Sequence, residues 1–256
     1  DTQTRPGVPL DQLDWVARAL VEYNPDVIVH IGDHWDFPSL NMHEVPGSEF
    51  TENQRYHEDV TVGNDAFKRI FAPLNETNRA PRKVFCFGNH EARADTFSSI
   101  NPKFRHLVST KDCDTQDFER HKFGNIVEID WILYSHFFSN PHSGRAIGGS
   151  PQNRLTKVGR SHVQGHVQGR DYGSKMLASG ETLQCEVVGS CYLHIEPYRG
   201  MHQRHWRGVL ILNEVKDGNW QEMPLSLNYL CKKYTGKYLV DFMKAKYPDQ
   251  SWEHLL

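Results

Sequence analysis

The sequence predicts an α/β protein in which two β-sheets pack face to face and helices cover their outer sides. Three observations support this fold class. The first half alternates helix-like and strand-like segments, the second half is rich in short strand-like segments, and helical periodicity returns only near the end. Alternating helices and strands are typical of a partly parallel sheet flanked by helices. Since no repeat or linker divides the 256 residues, we expect a single domain over residues 1–256.

The first half predicts two helix–strand units. Apolar residues recur at helical spacing from Pro9 to Tyr23, and Pro25 ends that helix because the residue before a proline avoids the α region. Asp26–Ile31 is then a β-branched run, the pattern of a strand buried on both faces. The second unit consists of a helix over His57–Leu74 and a strand over Lys83–Phe87. Functional groups in such sheets gather where the strands end.

The second half predicts shorter strands with polar connections. We expect residues 171–256 to form a strand-rich back half that closes with a helical segment. The predicted elements are strands over Asn125–Asp130, Trp131–Ser135, Thr182–Val188 and Gly208–Asn213, and helix near Asn228–Tyr247.

Composition excludes several classes of protein. Hydrophobic residues at 38% and charged residues at 24% suit a soluble globular protein. No apolar run approaches the roughly 20 residues of a membrane span, and no N-terminal segment has the pattern of a signal peptide. Five cysteines without a Cys-x-x-Cys pair argue against a disulfide framework or a thiolate zinc site. We therefore expect a cytoplasmic protein without a membrane partner.

Four short groups of metal-ligand side chains stand where predicted strands end, and the first residues form a fifth. Carboxylate, amide and imidazole groups that meet at one sheet edge suit a pair of divalent cations such as Mn, Fe, Zn or Mg. No Gly-x-Ser-x-Gly or Cys–His nucleophile motif appears. The groups are Gly32-Asp33-His34-Trp35-Asp36, Gly88-Asn89-His90-Glu91, His136, Gly165-His166-Val167-Gln168 and Asp1-Thr2-Gln3.

This ordered set resembles the calcineurin-like metallophosphoesterase superfamily over residues 1–170. The resemblance implies a β-sandwich of two mixed sheets flanked by helices, and a hydrolase that attacks phosphate esters in line with a metal-bound hydroxide. It further implies that Asp33 bridges two divalent metal ions, while Asn89, His136 and His166 complete the second metal site.

The same resemblance implies that His90 donates a proton to the leaving oxygen and that Asp36 orients His90. It makes Glu91 a support for the site rather than a ligand. His34 occupies a variable position of the motif, so we do not expect it to bind metal. His162 is also left out of the site, because the glycines around it predict a loop.

The chain departs from the family pattern at two positions of the first metal site. Asp-x-His is replaced by Asp1-Thr2-Gln3, and Gly-His-x-His ends in Gln168. Amide oxygens are harder donors than imidazoles, so the first site favours Mn or Mg, whereas Zn or Fe remains an alternative at the second. Glutamine at both places is similar to metallophosphoesterases carried in phage genomes. The alternatives are an empty first site with one working metal, or a silent binding module. Asp1 also lacks a preceding strand, so either residues precede it or it is not a ligand.

The substrate is predicted less sharply than the metal site. We expect a phosphodiesterase or nuclease acting on a phosphate ester such as a nucleotide or nucleic acid. The alternative is a phosphomonoesterase, including a protein Ser/Thr phosphatase. That branch continues its second motif with Arg-Gly, whereas Phe37-Pro38 follows here and weighs against it.

Several residues are candidates for contacting the substrate. Arg93 is placed to reach a phosphate oxygen through its guanidinium. For Trp35 and Phe37 we expect a core position, since aromatic residues near a strand end are more often core, with stacking on a base as the alternative. Residues 141–170 contain no acidic residue, so they form either a phosphate-attracting loop or a solvated one of mixed polarity; the basic residues there include Arg145, Arg154, Lys157, Arg160 and Arg170.

Overall fold

The structure, a computed structural model, describes residues 1–42, 53–196 and 204–255. Two helix–strand units open the chain as the sequence predicts. Asn24 ends the first helix in a left-handed conformation with φ 47°, one residue before Pro25. The units comprise α1 (Gln12–Tyr23), β1 (Val27–His30), α2 (Tyr56–Asn75) and β2 (Arg82–Cys86).

Twelve further helices and strands follow in the described ranges, and the sequence analysis did not predict six of them. In the described ranges none of the helices is long and apolar enough to cross a bilayer. These elements are α3 (Ala92–Ile100), β3 (Glu119–His121), β4 (Val127–Ile129), β5 (Ile132–Ser135), α4 (Pro151–Val158), β6 (His162–Gln164), β7 (Arg170–Met176), β8 (Thr182–Val188), β9 (Gly208–Lys216), β10 (Asn219–Ser226), α5 (Leu227–Thr235) and α6 (Leu239–Lys246). The missed ones are α3, α4, β3, β6, β7 and β10.

One missed element carried a readable signal. Helix α4 has Ser150 as its N-cap, Pro151 at its first position and Gly159 with φ 74° beyond its end. Serine, proline and glycine at those positions are typical helix boundaries. By contrast, β6 has three residues and no boundary signal, so the prediction of a loop at His162 is wrong.

The strands form two sheets and a hairpin. Strands β1, β2 and β3 make a parallel sheet, and β4, β5, β6, β8 and β7 make a mixed sheet in that order. Strands β5, β6 and β8 are parallel to one another, while β9 pairs antiparallel with β10. Because β1 and β2 are parallel, the segments that follow them emerge at the same edge of the parallel sheet. The segments that follow β5 and β6 emerge together at one edge of the mixed sheet for the same reason.

The core has two parts that correspond to the layers. One apolar cluster lies between the sheets and combines Ile31 and Val84 from the parallel sheet with Ile132 and Val163 from the mixed sheet. The larger cluster lies on the other side of the parallel sheet, where the helices pack. Burial of such side chains contributes about 1.5–3 kcal/mol each. The predicted α/β sandwich flanked by helices is thus confirmed.

Residues 1–4 lie at the sheet edge, beside the turn that follows β1. The N–H groups of Gln3 and Thr4 donate to the carbonyls of Asp33 (2.9 Å) and His34 (2.7 Å), and the Asp36 N–H donates to Thr4 (3.1 Å). The Asp1 carbonyl accepts from the N–H of Cys191 at 2.8 Å. The chain's opening residues are therefore held between residues 33–36 and the back half of the sequence.

Candidate metal centre

The turn after β1 brings Asp33 to the sheet edge and requires a glycine before it. Gly32 has φ 89°, and a Cβ atom there would lie 2.4 Å from the backbone nitrogen of Gly88. Only glycine fits such a close approach of two backbones. The turns that follow β1 and β2 therefore touch each other, which places Asp33 beside Asn89.

Glu91 holds these two turns together. Its buried carboxylate accepts four backbone N–H groups: Oε2 accepts from Gly88 (2.7 Å) and Asp33 (3.0 Å), and Oε1 accepts from His34 (2.5 Å) and Trp35 (3.1 Å). Burial and the nearby Asp33 carboxylate raise the pKa of Glu91. Glu91 supports the site, as the sequence predicted.

Asp33, His136 and His166 form a candidate metal-ligand cluster. One donor atom from each lies within 4.8 Å of the others. The Asn89 amide oxygen completes the set, because it lies 2.9 Å from His136 Nε2 and 2.9 Å from His166 Nδ1. Two imidazole nitrogens, a carboxylate and an amide oxygen that face one another suit a borderline divalent cation.

A hydrogen bond orients the His136 ring for metal binding. Its Nδ1 lies 2.7 Å from the Ile31 carbonyl, an acceptor, so Nδ1 donates to it. Nε2 then faces the Asp33 carboxylate, 3.2 Å away. A backbone carbonyl behind the ring is the usual partner of a metal-binding histidine. The residues present therefore fit a divalent metal.

The charges of the site favour the metal-binding forms. Burial opposes ionisation of Asp33, but His136 and His90 outweigh it and hold the pKa of Asp33 well below its ordinary value. Burial, and then the neighbouring His136, lower the pKa of His166. A carboxylate and a neutral imidazole are the forms that ligate a cation.

Several predicted ligands have a left-handed backbone. Such conformations cost on the order of 1–3 kcal/mol each for residues other than glycine, and they cluster at functional sites. The surrounding hydrogen bonds hold them in place. The residues are Gln3 (φ 42°), Asp33 (φ 50°), His166 (φ 67°) and Gln168 (φ 65°).

The structure brings the predicted first-site residues to the same edge. Asp1 Oδ2 accepts the N–H of His166 at 2.8 Å, while its Oδ1 is buried and has no hydrogen-bond partner in the described part of the chain. Gln3 is buried next to Asp33, and Gln168 Oε1 accepts from the hydroxyl of Tyr192 at 3.0 Å. An uncompensated buried carboxylate oxygen fits a metal ligand.

His90 and Asp36 lie beside this cluster. His90 Nδ1 is 2.7 Å from Asp36 Oδ1, and its Nε2 points toward Asp33 Oδ2 at 3.7 Å. Burial lowers the pKa of His90, but the carboxylates of Asp33 and Asp36 outweigh burial and raise it. The Asp36 carboxylate thus sets the orientation of the His90 ring.

Comparison with known proteins agrees with this geometry. The sequence profile of calcineurin-like phosphoesterases matches residues 1–206. The chain belongs to the calcineurin-like phosphoesterase family. It is a hydrolase of phosphate esters that depends on divalent metal ions. Searches of curated proteins and of solved structures each gave no match.

In this phosphoesterase Arg93 lies against the His90–Asp36 pair. Its Nη1 donates to the Asp36 carbonyl at 2.7 Å, and Nη2 is 3.4 Å from His90 Nε2. The guanidinium is thus adjacent to the atom of His90 that faces the site.

The aromatic residues beside the phosphoesterase site are Phe123 and Phe137 rather than Trp35 and Phe37. Trp35 and Phe37 are fully buried, and Trp35 stacks on Phe67 at 5.5 Å, so they occupy the core position that the sequence favoured and the base-stacking alternative is wrong. Phe123 is 38% exposed and packs against Phe137 at 5.3 Å, which in turn lies 4.9 Å from the His166 ring. No local sequence signal singled out this pair.

Three of the five arginine and lysine residues in the acid-free stretch 141–170 are paired with carboxylates. Arg154 is buried and pairs with Asp171 at 2.6 Å. Arg160 pairs with Glu128 at 3.0 Å, and Arg170 bridges two glutamates of neighbouring strands. Carboxylates distant in sequence neutralise these cations, so the interpretation as a phosphate-attracting loop is wrong for them.

Proposed function

We propose that this phosphoesterase is a phosphodiesterase that acts on nucleotide or nucleic-acid esters, with His90 as the proton donor. The observation that supports it most directly is that His90 Nδ1 lies 2.7 Å from Asp36 while its Nε2 faces Asp33, the carboxylate of the candidate ligand cluster. A histidine fixed in this way presents one N–H toward a substrate phosphate.

The metal ligands are proposed as two sets that share Asp33. Asn89, His136 and His166 would hold one divalent cation, and Asp1, Gln3 and Gln168 the other. When bound, such a pair polarises the phosphoryl oxygens and activates the attacking water. The amide oxygens of the two glutamines favour Mn or Mg.

The side chains around the cluster divide the remaining work. Asp36 accepts a hydrogen bond from His90 Nδ1–H, so the ring keeps its orientation. The Nε2 proton is then transferred to the leaving oxygen as the phosphorus–oxygen bond breaks. Arg93 donates to the Asp36 carbonyl and has further N–H groups for a phosphate oxygen. Retention of this pair argues against a silent binding module, because its role is proton transfer.

A diester is favoured over a monoester by two features. Phe37-Pro38 follows Asp36 where Ser/Thr phosphatases carry Arg-Gly. The exposed ring of Phe123, next to Phe137 and His166, offers a flat surface for a nucleobase. Stacking of one base on an aromatic side chain contributes about 1–3 kcal/mol.

The test compares two metal-dependent assays on the purified protein. Thymidine 5′-(p-nitrophenyl phosphate), a diester, and p-nitrophenyl phosphate, a monoester, are assayed with Mn, Mg, Zn or chelator, alongside single- and double-stranded DNA. We expect hydrolysis of the diester with Mn or Mg. In His90→Ala we expect hydrolysis of DNA, whose alkoxide leaving group requires a proton, to fall by about 100-fold or more. His106→Ala is the control, since His106 is an exposed histidine. Activity under full chelation, or preference for the monoester, contradicts the proposal.

The aromatic surface has its own test. Thymidine 5′-(p-nitrophenyl phosphate) and methyl p-nitrophenyl phosphate share a leaving group and differ in the base. We expect Phe123→Ala to lower kcat/KM for the thymidine ester by about 10-fold and leave the methyl ester unchanged. Trp131→Ala is the matched control, because Trp131 is exposed at the opposite end of β5 from His136. Equal effects on both esters contradict base stacking.

A further inference from the structure

The Asp36 carboxylate is held through both of its oxygens. Oδ1 contacts His90 Nδ1 at 2.7 Å, and Oδ2 accepts from Arg5 Nη1 at 2.8 Å. The carboxylate is almost fully buried, with 4% of its side chain exposed. A carboxylate with one held oxygen still rotates about its terminal bond, whereas partners on both oxygens fix its plane.

Arg5 is itself fixed by the back half of the chain. Its guanidinium contacts Glu196 Oε2 at 3.3 Å and donates to the carbonyl of Ile195 at 3.3 Å. The Glu196 side chain is 1% exposed, while that of Arg5 is 20% exposed. Arg5 therefore sits between two buried carboxylates, one beside the reacting atoms and one behind it.

Glu196 is anchored in turn. Its Oε1 lies 2.5 Å from His194 Nε2, and the His194 ring stacks on Tyr192 at 4.6 Å. The Tyr192 hydroxyl donates to Gln168 Oε1 at 3.0 Å. A continuous series of hydrogen bonds, ion pairs and one ring-stacking contact thus runs from the edge of the ligand cluster, through the back half, to the His90–Asp36 pair.

The backbone next to Arg5 is equally constrained. Thr4 forms a parallel bridge with Trp35, and its hydroxyl donates to the His34 carbonyl at 2.7 Å. Asp36 N–H donates to the Thr4 carbonyl at 3.1 Å. Arg5 and Asp36 are therefore held in register from the backbone outward, so the ion pair is built into the sheet edge.

We infer that Arg5, supported by Glu196, is a positioning residue for the reaction: it fixes the plane of Asp36 and thereby the direction of the His90 N–H. The inference rests on the proposed role of His90 as proton donor. A purely structural role for Arg5 would lower stability and slow every substrate alike. A positioning role acts on proton donation, so removing Arg5 slows most the substrates whose leaving group needs a proton.

The experiment uses two thymidine diesters with different leaving groups. Thymidine 5′-(p-nitrophenyl phosphate) releases a phenolate that leaves without a proton, whereas thymidylyl-thymidine releases an alkoxide that requires one. For Arg5→Met we expect kcat on the dinucleotide to fall about 10- to 100-fold, part of what a general acid supplies, and kcat on the aryl ester to change less than about threefold, with KM unchanged. His90→Ala shows the same pattern more strongly.

Three further variants make the result decisive. Arg5→Lys keeps the charge and recovers part of the dinucleotide rate, and it carries the test if Arg5→Met does not fold. Arg69→Met is the matched control, since Arg69 pairs with Asp14 at 2.6 Å between α1 and α2, and it keeps wild-type rates on both esters. The double variant Arg5→Met/His90→Ala is no slower on the dinucleotide than His90→Ala, as expected for residues that act through one step.

The outcomes that overturn the inference are separable from failure of the proposed function. Equal losses on both esters in Arg5→Met, or an additive loss in the double variant, overturn the positioning role of Arg5 alone. If His90→Ala itself slows both esters equally, the proposed role of His90 as proton donor is wrong, and the inference about Arg5 is wrong with it.

Discussion

Replacing Gly88 by alanine tests whether the position of Asp33 governs both metal binding and catalysis. A Cβ atom at Gly88 would lie 2.1 Å from Asp33 Oδ1 and 2.6 Å from its backbone nitrogen, where ordinary contact begins at 3.4 Å. The carboxylate must therefore move by about 1.3 Å, the difference between 3.4 and 2.1 Å. That displacement also breaks the 2.9 Å hydrogen bond from the His90 N–H to Asp33 Oδ1.

A misplacement of about 1 Å costs roughly 100-fold in rate, so we expect Gly88→Ala to lower kcat by about that factor. We also expect weaker Mn binding in a calorimetric titration, and a stability loss of about 1–3 kcal/mol from overpacking. Gly148→Ala is the control, because nothing lies within 4 Å of its Cβ position. Wild-type kcat and Mn affinity in a folded Gly88→Ala protein would refute the reasoning.

Three other predictions address support, pH and metal choice. Glu91→Gln turns an amide N–H₂ toward two backbone N–H donors, so urea unfolding should show a loss of about 2–3 kcal/mol; a loss below about 0.5 kcal/mol contradicts the bridging role of this carboxylate. Burial raises the pKa of Asp59 from 3.8 to about 6, so its contribution to stability is complete below pH 3.8 and is lost as the pH rises through about 6. Between pH 4 and pH 7 the wild type should therefore lose about 2–3 kcal/mol more than Asp59→Asn does in unfolding titrations, and parallel curves would contradict this. Chelation should abolish activity. Because imidazole is a softer donor than an amide, the double variant Gln3→His/Gln168→His should need a lower Zn concentration than the wild type to restore half of its activity. An unchanged Zn requirement counts against both glutamines as ligands.

The strands that carry the ligands were readable because their signal is local. The run Asp26–Ile31 is predicted as a strand, and β1 ends at His30; the next run is predicted to end at Phe87, and β2 ends at Cys86. A continuous apolar run indicates where a buried strand ends, here to within a residue. The amino-acid pattern alone therefore places the segments carrying Asp33 and Asn89 at one sheet edge.

The short elements were not readable for the opposite reason. Strand β6 contributes three residues, too few for a periodic pattern, and His162 was assigned to a loop as a result. For Trp35 and Phe37 the sequence favoured a core position but did not indicate which residues cover them. The packing of α2 against the segment that carries them decides this, with Phe67 on Trp35 and Tyr56 on Phe37.

The sequence by itself determined the fold class, the strand ends and the set of side chains able to bind a divalent metal, because each depends on residues that are neighbours in the chain. The tertiary structure alone decided which of those side chains face one another, and which arginines are neutralised. It also joined Arg5 to Asp36 and to Glu196, residues 31 and 191 positions away. Such contacts depend on how the layers pack, and no local pattern of residues encodes them.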